Sequence, residues 1–248
     1  MKNNNQPSNN LGLQAIILAG GEGTRLRPFT TNFPKPLVPI DDTPILEIIL
    51  RQIKHFGFSN VTIAVNHLAE LMVAFFKDGK KYDINISYSF ETKPLGTAGP
   101  LSLIKNTNDN FLVMNGDVLT TINYGDLYKF HIDNKCDITI ATFKREEKID
   151  LGVLDIGDDG EFINYREKPN FDFNVSMGIY ILNKSMLNLI PYDEKFNIPD
   201  LVLKAQANNK KIKCYQGEYS WLDIGRIDDY NKANDIFKSN RDLYYYEK

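Results

Sequence analysis

Leu18-Ala19-Gly20-Gly21-Glu22-Gly23-Thr24-Arg25-Leu26-Arg27-Pro28 follows an apolar run, Gln14 to Leu18, and combines three glycines with two arginines. The run reads as a β-strand, and glycines just past its end let backbone N–H groups approach an anion closely. Arginine adds a planar, permanently charged fork that matches phosphate oxygens. The segment therefore reads as a polyphosphate cradle at the carboxyl end of a strand. It is neither of the two common glycine loops. A P-loop needs Gly-Lys-Ser/Thr opening a helix, whereas here a proline-rich connection, Pro28 to Pro44, intervenes and carries Lys35 between Pro34 and Pro36. A dinucleotide fingerprint needs an acid closing the second strand; the second strand, Val61 to Val65, closes on Asn66 and His67.

Outward from this loop, strands and helices alternate. Helical spacing covers residues 44–56, 69–77 and 124–134, with a short helix over 98–104; strands are predicted at 14–18, 61–65, 84–88, 111–114 and 137–142. Pro44 at the start of the first helix and Gly57 past its end are suitable boundary signals. Strands separated by helices predict an α/β, Rossmann-like three-layer sandwich on a mostly parallel mixed sheet. Beyond residue 143 the texture changes to a smaller subdomain: strands at 153–156, 161–166 and 177–182, helices at 184–189 and 199–208, a strand at 212–215 and a last helix at 227–237. The expected division is a disordered tail or linker remnant (1–12), a first part (13–143), a second part (144–238) and a C-terminal tail (239–248).

Composition narrows the function. With 29 basic and 32 acidic residues among 248, the net charge is -3, and no basic block suggests nucleic acid as a partner. The longest apolar runs are strand length, so no membrane span is expected. The asparagine-rich start, Met1 to Asn10, lacks the apolar core of a signal peptide. Cys136 and Cys214 are too few and scattered for a disulfide framework or zinc site. A reduced, cytoplasmic protein is expected, with a second copy of the chain as a further candidate partner.

Open parallel sheets bind ligands beyond the carboxyl ends of their strands. Gly20, Gly21, Gly23 and Arg25 follow the first strand, Glu91 and Gly96 the third, and Asp117 the fourth. Asp117 and Asp223 suit Mg²⁺, which takes one or two carboxylates and completes its shell with water and substrate phosphates. Either aspartate alone reads rather as a helix cap or turn residue; beside the glycine/arginine cradle the metal reading is favoured. Prolines hold Lys35 in place. In Glu167-Lys168-Pro169, Lys168 is expected to be extended before proline, with Glu167 accepting sugar hydroxyls and Lys168 holding a phosphate. His55, His67 and His131 show no paired spacing and receive no role. Tyr244-Tyr245-Tyr246 reads as packing or a partner contact.

Four segments, LAGGEGTRLRPFT with FPKPLVPI, ETKPLGTAGPL, NGDV with the later EKP, and WLDIG, together resemble the sugar-1-phosphate nucleotidyltransferases, most of all the mannose-1-phosphate guanylyltransferase-type members. The resemblance spans residues 18–225. It implies condensation of a nucleoside triphosphate with a sugar 1-phosphate and release of pyrophosphate, with residues 13–143 as the nucleotide-binding part and the smaller sugar-binding subdomain, residues 144–238, as the sugar-phosphate-binding part. It assigns the leaving phosphates to Arg25, the α-phosphate to Lys35, and Mg²⁺ to Asp117 and Asp223, with Arg25, Lys35, Asp117 and Lys168 as the catalytic set. The nucleotide side falls to Leu18, Ala19, Gly20, Gly21, Gly23, Thr24, Arg25, Glu91, Gly96, Thr97 and Gly116. The sugar-phosphate side falls to Gly152, Glu167, Lys168, Val175, Ser176 and Gly178. Mannose-type members usually carry Asn at the position of Ser176, which leaves the sugar open.

Glu91 bears on the base. Thymidylyl and uridylyl members often present Gln there, whose amide matches O4 and N3–H of thymine or uracil. A carboxylate only accepts, and guanine offers two adjacent donors, N1–H and its amino group. GTP is therefore the favoured substrate, with thymidylyl or cytidylyl transfer as alternatives. A non-catalytic regulatory paralogue is disfavoured because Arg25, Lys35, Asp117 and Asp223 are all present. A retaining glycosyltransferase would show Asp-x-Asp, and Asn115-Gly116-Asp117 lacks the first acid.

Overall fold

The structure, a computed structural model, describes residues 12–246; the expected N-terminal tail, apart from its last residue, lies outside them. In chain order the elements are β1 (Leu13–Leu18), β2 (Pro39–Ile40), β3 (Thr43–Pro44), α1 (Ile45–His55), β4 (Phe58–Val65), α2 (Ala69–Phe76), β5 (Asn85–Phe90), β6 (Asn110–Asn115), β7 (Val118–Thr120), α3 (Tyr124–Asp133), β8 (Ile138–Lys148), β9 (Gly152–Ile156), β10 (Phe162–Glu167), β11 (Asn170–Asn183), α4 (Ile198–Ala207), β12 (Ile212–Tyr215), β13 (Trp221–Asp223), α5 (Ile227–Ser239) and α6 (Arg241–Tyr244). The stretches predicted as helices at 98–104 and 184–189 are 3₁₀ turns, Gly99–Leu103 and Lys184–Leu189.

Seven strands form one sheet in the order β12-β8-β11-β6-β1-β4-β5. All neighbours are parallel except β11, which is antiparallel to both β6 and β8. Successive side chains of a strand face opposite sides, and both sides are buried. Ala15 and Ile17 join one core cluster with the apolar stripe of α1, while Ile16 joins another with Leu201 and Ala205 of α4. The same split separates Leu112 and Met114 from Phe111 and Val113 on β6. Two buried faces explain why these strands read as unbroken apolar runs, and they establish the three-layer Rossmann-like α/β fold.

The sheet runs through the boundary expected near residue 143, which falls inside β8. The polar stretch Lys144-Arg145-Glu146-Glu147-Lys148 carries no alternating apolar pattern, so it reads as loop; in the fold it pairs with Asn170–Asn174 as an antiparallel arm. The β9–β10 hairpin, Phe162↔Ile156 to Glu167↔Gly152, extends this region. The C-terminal residues pack against α1. Gln52 donates to the carbonyls of Thr120 and Tyr244 at 3.0 and 2.9 Å, Tyr244 is buried, and Tyr246 stacks on His55 with ring centroids 4.1 Å apart. No helix among the described residues is long and apolar enough to cross a membrane.

Candidate active site

The carboxyl ends of β1 and β6 and the loop after β5 enclose a cleft of about 320 Å³. Leu18, Ala19, Gly20 and Gly21 form one wall, Asn115, Gly116 and Asp117 a second, and Glu91 with Pro94, Leu95, Gly96 and Thr97 a third; Lys35, Pro36 and Pro100 complete it.

Close packing explains the glycines. A Cβ on Gly20 would lie 2.4 Å from Glu91 Oε1, so Gly20 leaves room for that carboxylate. The other oxygen, Oε2, accepts the Leu95 N–H at 3.1 Å and ties down the loop that follows. Burial pushes the Glu91 carboxyl above its ordinary pKa, and the Leu95 hydrogen bond opposes that rise. Gly96 has φ of +78° and sits against the Phe196 carbonyl, while the Thr97 hydroxyl accepts the N–H of Ile198 at 2.9 Å. The third wall is thereby strapped to the start of α4.

Gly23 has φ of +61°, and a Cβ there would lie 3.2 Å from Lys35 Cβ. Lys35 opens a 3₁₀ turn, Lys35–Leu37, just after Pro34, and is buried. Its ammonium forms an ion pair with Asp117. The other Asp117 oxygen, Oδ1, is buried and has no hydrogen-bond partner among the described residues. Asp223 arrives because β13 pairs with β7, opposite Val118 and next in register to Asp117; the Ile224 N–H then donates to the Asp117 carbonyl at 3.1 Å. Burial raises the Asp223 carboxyl, and the Asp117 charge adds to that, while Lys35 and Arg25 pull it back down. An orphaned carboxylate oxygen beside a second, destabilised carboxylate fits a divalent cation bound by hard oxygens. Asp117 and Asp223 would hold it.

Arg25 does not line the cleft. It lies at the neighbouring β13 turn, where a Cβ on Gly225 would be 3.5 Å from Arg25 Nη2 and 3.4 Å from Asp223 Oδ2. Gly23 and Thr24 do not line the cleft either.

The residues assigned to the sugar side lie on the β8–β11 region. Gly152 pairs with Glu167, and a Cβ there would be 2.1 Å from the Tyr165 hydroxyl, which donates to Glu167 Oε2 at 2.8 Å. Lys168 pairs with Asp150 at 3.1 Å. Its backbone corrects the extended expectation: φ is +44°, in the left-handed region, because the chain reverses between β10 and β11 at this residue. Val175 and Ser176 pair with Phe143 and Thr142, and the Ser176 and Tyr180 hydroxyls are hydrogen-bonded at 2.8 Å. None of Gly152, Glu167, Lys168, Val175 or Ser176 lines the cleft; Gly178 reaches its edge through Asn115. Asn115, Pro36, Pro94, Leu95 and Pro100 also line the cleft; all lie inside the quoted motifs, but their residue types alone do not mark them as site residues.

The profile of the nucleotidyl transferase family matches residues 14–240. A UTP–glucose-1-phosphate uridylyltransferase of Synechocystis is 32% identical over 241 residues, covering 89% of this chain and 62% of that protein. A mannose-1-phosphate guanyltransferase of Schizosaccharomyces pombe is 36% identical, covering 92% of this chain and 65% of its own length. A D-glycero-alpha-D-manno-heptose 1-phosphate guanylyltransferase of Aneurinibacillus thermoaerophilus is 33% identical, covering 89% and 96%. The chain thus spans less than two thirds of the first two relatives and nearly all of the third.

Proposed function

This chain belongs to the nucleotidyl transferase family, and from that premise we propose that it condenses a nucleoside triphosphate, GTP by preference, with a sugar 1-phosphate. A phosphate oxygen of the sugar attacks the α-phosphorus, a new P–O bond forms, the bond to the β-phosphate oxygen breaks, and pyrophosphate leaves. The observation that carries this reading is the Lys35–Asp117–Asp223 cluster at the mouth of a glycine-walled cleft.

Charge is the obstacle. Two like unit charges about 4 Å apart repel by roughly 4 kcal/mol at an effective dielectric near 20. Lys35 sits where it can leave Asp117 for the α-phosphate, and Arg25 stands beside Asp223 for the departing phosphates. Gly20 and Gly21 allow backbone N–H groups to approach the polyphosphate. A divalent ion held by Asp117 and Asp223, Mg²⁺ in this reading, would supply neutralisation of the phosphate oxygens. The attacking oxygen is already ionised, so no protein base is needed, and positioning with electrostatics carries the rate.

Glu91 supports guanine, because a half-buried carboxylate, which only accepts, suits the N1–H and amino donors of that base. The relatives acting on mannose 1-phosphate and a manno-heptose 1-phosphate put manno-configured acceptors first among candidates. Uridylyl transfer to glucose 1-phosphate is the second reading, supported by the Synechocystis relative. Glu167 and Lys168 are proposed for the sugar-phosphate side, and two free, scattered cysteines favour the cytoplasm. Pyrophosphate release measured over all five nucleotides and a set of sugar 1-phosphates tests the proposal. GTP with a manno-configured acceptor is the expected best pair; dTTP preference would defeat the Glu91 argument, and no release from any pair would defeat the activity.

A further inference from the structure

Asn115 ends β6 two residues before Asp117, and its side chain lines the cleft without a hydrogen bond to any other described residue. A carboxamide offers two donors and an acceptor. Asn115 is half-buried, so in a cleft wall next to a carboxylate pair its donors and acceptor are free for a ligand to use.

The position of this amide is built by β11. Between Ser176 and Tyr180 the register against β8 slips, so the strand bulges where it crosses β6. The Trp221 indole N–H caps the carbonyl of Met177 inside the bulge at 3.0 Å. Gly178 follows with φ of +72°, and a Cβ there would lie 2.6 Å from Asn115 Nδ2 and 3.1 Å from Cγ. Bulges re-aim neighbouring groups and are frequent beside active sites. Here the bulge and the missing side chain leave the space that the Asn115 amide occupies.

Sheet order says which substrate it meets. From β5 through β4 and β1 to β6, the cleft passes from Glu91 to Gly20 and Gly21 and then to Asp117. A nucleotide laid along that path places its base near Glu91 and its phosphates at β1 and β6. Asn115 lies past the phosphates, against β11. We propose that Asn115 is a specificity residue that hydrogen-bonds a hydroxyl of the acceptor sugar beside its phosphate, and that Gly178 is the glycine that gives it room. This assignment rests on the proposed condensation and names a contact on its acceptor side.

The test combines Asn115→Ala and the near-isosteric Asn115→Asp with monodeoxy analogues of the preferred sugar 1-phosphate. Loss of one hydrogen bond to a neutral group corresponds to roughly a tenfold effect. In both variants KM for the sugar phosphate is expected to rise about tenfold or more, larger for Asp because its charge repels the phosphate. The equilibrium Kd for the nucleotide is expected to stay within about twofold in Asn115→Ala. One deoxy analogue is expected to lose about tenfold in kcat/KM with wild type and nothing further with Asn115→Ala. A nucleotide Kd weakened as much as the sugar-phosphate KM, or deoxy penalties unchanged by the substitution, would overturn the assignment alone. Absence of pyrophosphate release from every pair with wild type would overturn the underlying reading and this assignment with it.

Discussion

Lys35 and Asp117, 82 residues apart in the chain, meet as an ion pair inside the cleft, and only one of the two Asp117 oxygens is engaged. Lys35 occupies the position of a resident counter-cation for a carboxylate that also faces Asp223.

Removing either partner therefore acts on charge at the site. Lys35→Ala and Asp117→Ala are each expected to lower turnover by roughly 10²-fold or more, as loss of a preorganised electrostatic group does. Lys35→Ala also leaves Asp117 and Asp223 without their shared ammonium. Thermal unfolding with and without a divalent salt should show a larger rise in Tm for Lys35→Ala than for wild type. Equal rises would mean that the carboxylate pair does not gather the cation.

Glu91→Gln replaces an acceptor by a group that both donates and accepts. The ratio of kcat/KM for GTP over dTTP or UTP is expected to fall by about tenfold or more, the scale of a lost hydrogen bond to a charged group. A ratio that does not move would remove Glu91 from base selection and leave it as the anchor of the Leu95 loop.

Lys168 carries a left-handed backbone with φ of +44°. A non-glycine residue there costs about 1–2 kcal/mol. Lys168→Gly relieves that cost and deletes the ammonium together. The expected result is a Tm raised by a few degrees, with KM for the sugar 1-phosphate increased. A variant less stable than wild type would show that the Lys168–Asp150 pair outweighs the backbone term.

His131 is buried, with Nδ1 bonded to the Thr139 hydroxyl at 2.8 Å and Nε2 to Asn110 Oδ1 at 3.1 Å. Burial lowers its pKa from 6.5 to about 4. The unfolded chain therefore binds a proton that the folded chain refuses. The stability involved is fully present above pH 6.5 and is lost as pH falls towards 4, by on the order of 3 kcal/mol. Urea unfolding at stepped pH should show this slope in wild type, and a shallower one in His131→Gln.

The alternation of apolar runs with helical spacing was enough to predict an α/β sandwich, because both faces of its central strands are buried and local periodicity records burial. The arm was not legible. Residues 144–148 pair with 170–174; the first stretch is wholly polar and carries no period that announces a ladder, and the alternation of Phe171 and Phe173 in the second does not name its partner. The site was legible as chemistry rather than as geometry. Glycines and Asp117 at strand ends, with Lys35 in the proline-rich connection, pointed to the candidate cleft, while Asn115 carries no such mark because an unpaired amide is recognised only when its neighbours are known.

By itself, then, the order of residues determined which strands are buried, where the loops at their carboxyl ends fall, and the set of cations and acids those loops carry. Tertiary structure decided that β11 enters antiparallel and bulges over β6, that β13 carries Asp223 to Asp117, and that Arg25 faces Gly225 instead of the cleft. The physical reason is that burial leaves a periodic trace along a chain, whereas the choice of hydrogen-bonding partner between distant segments leaves none.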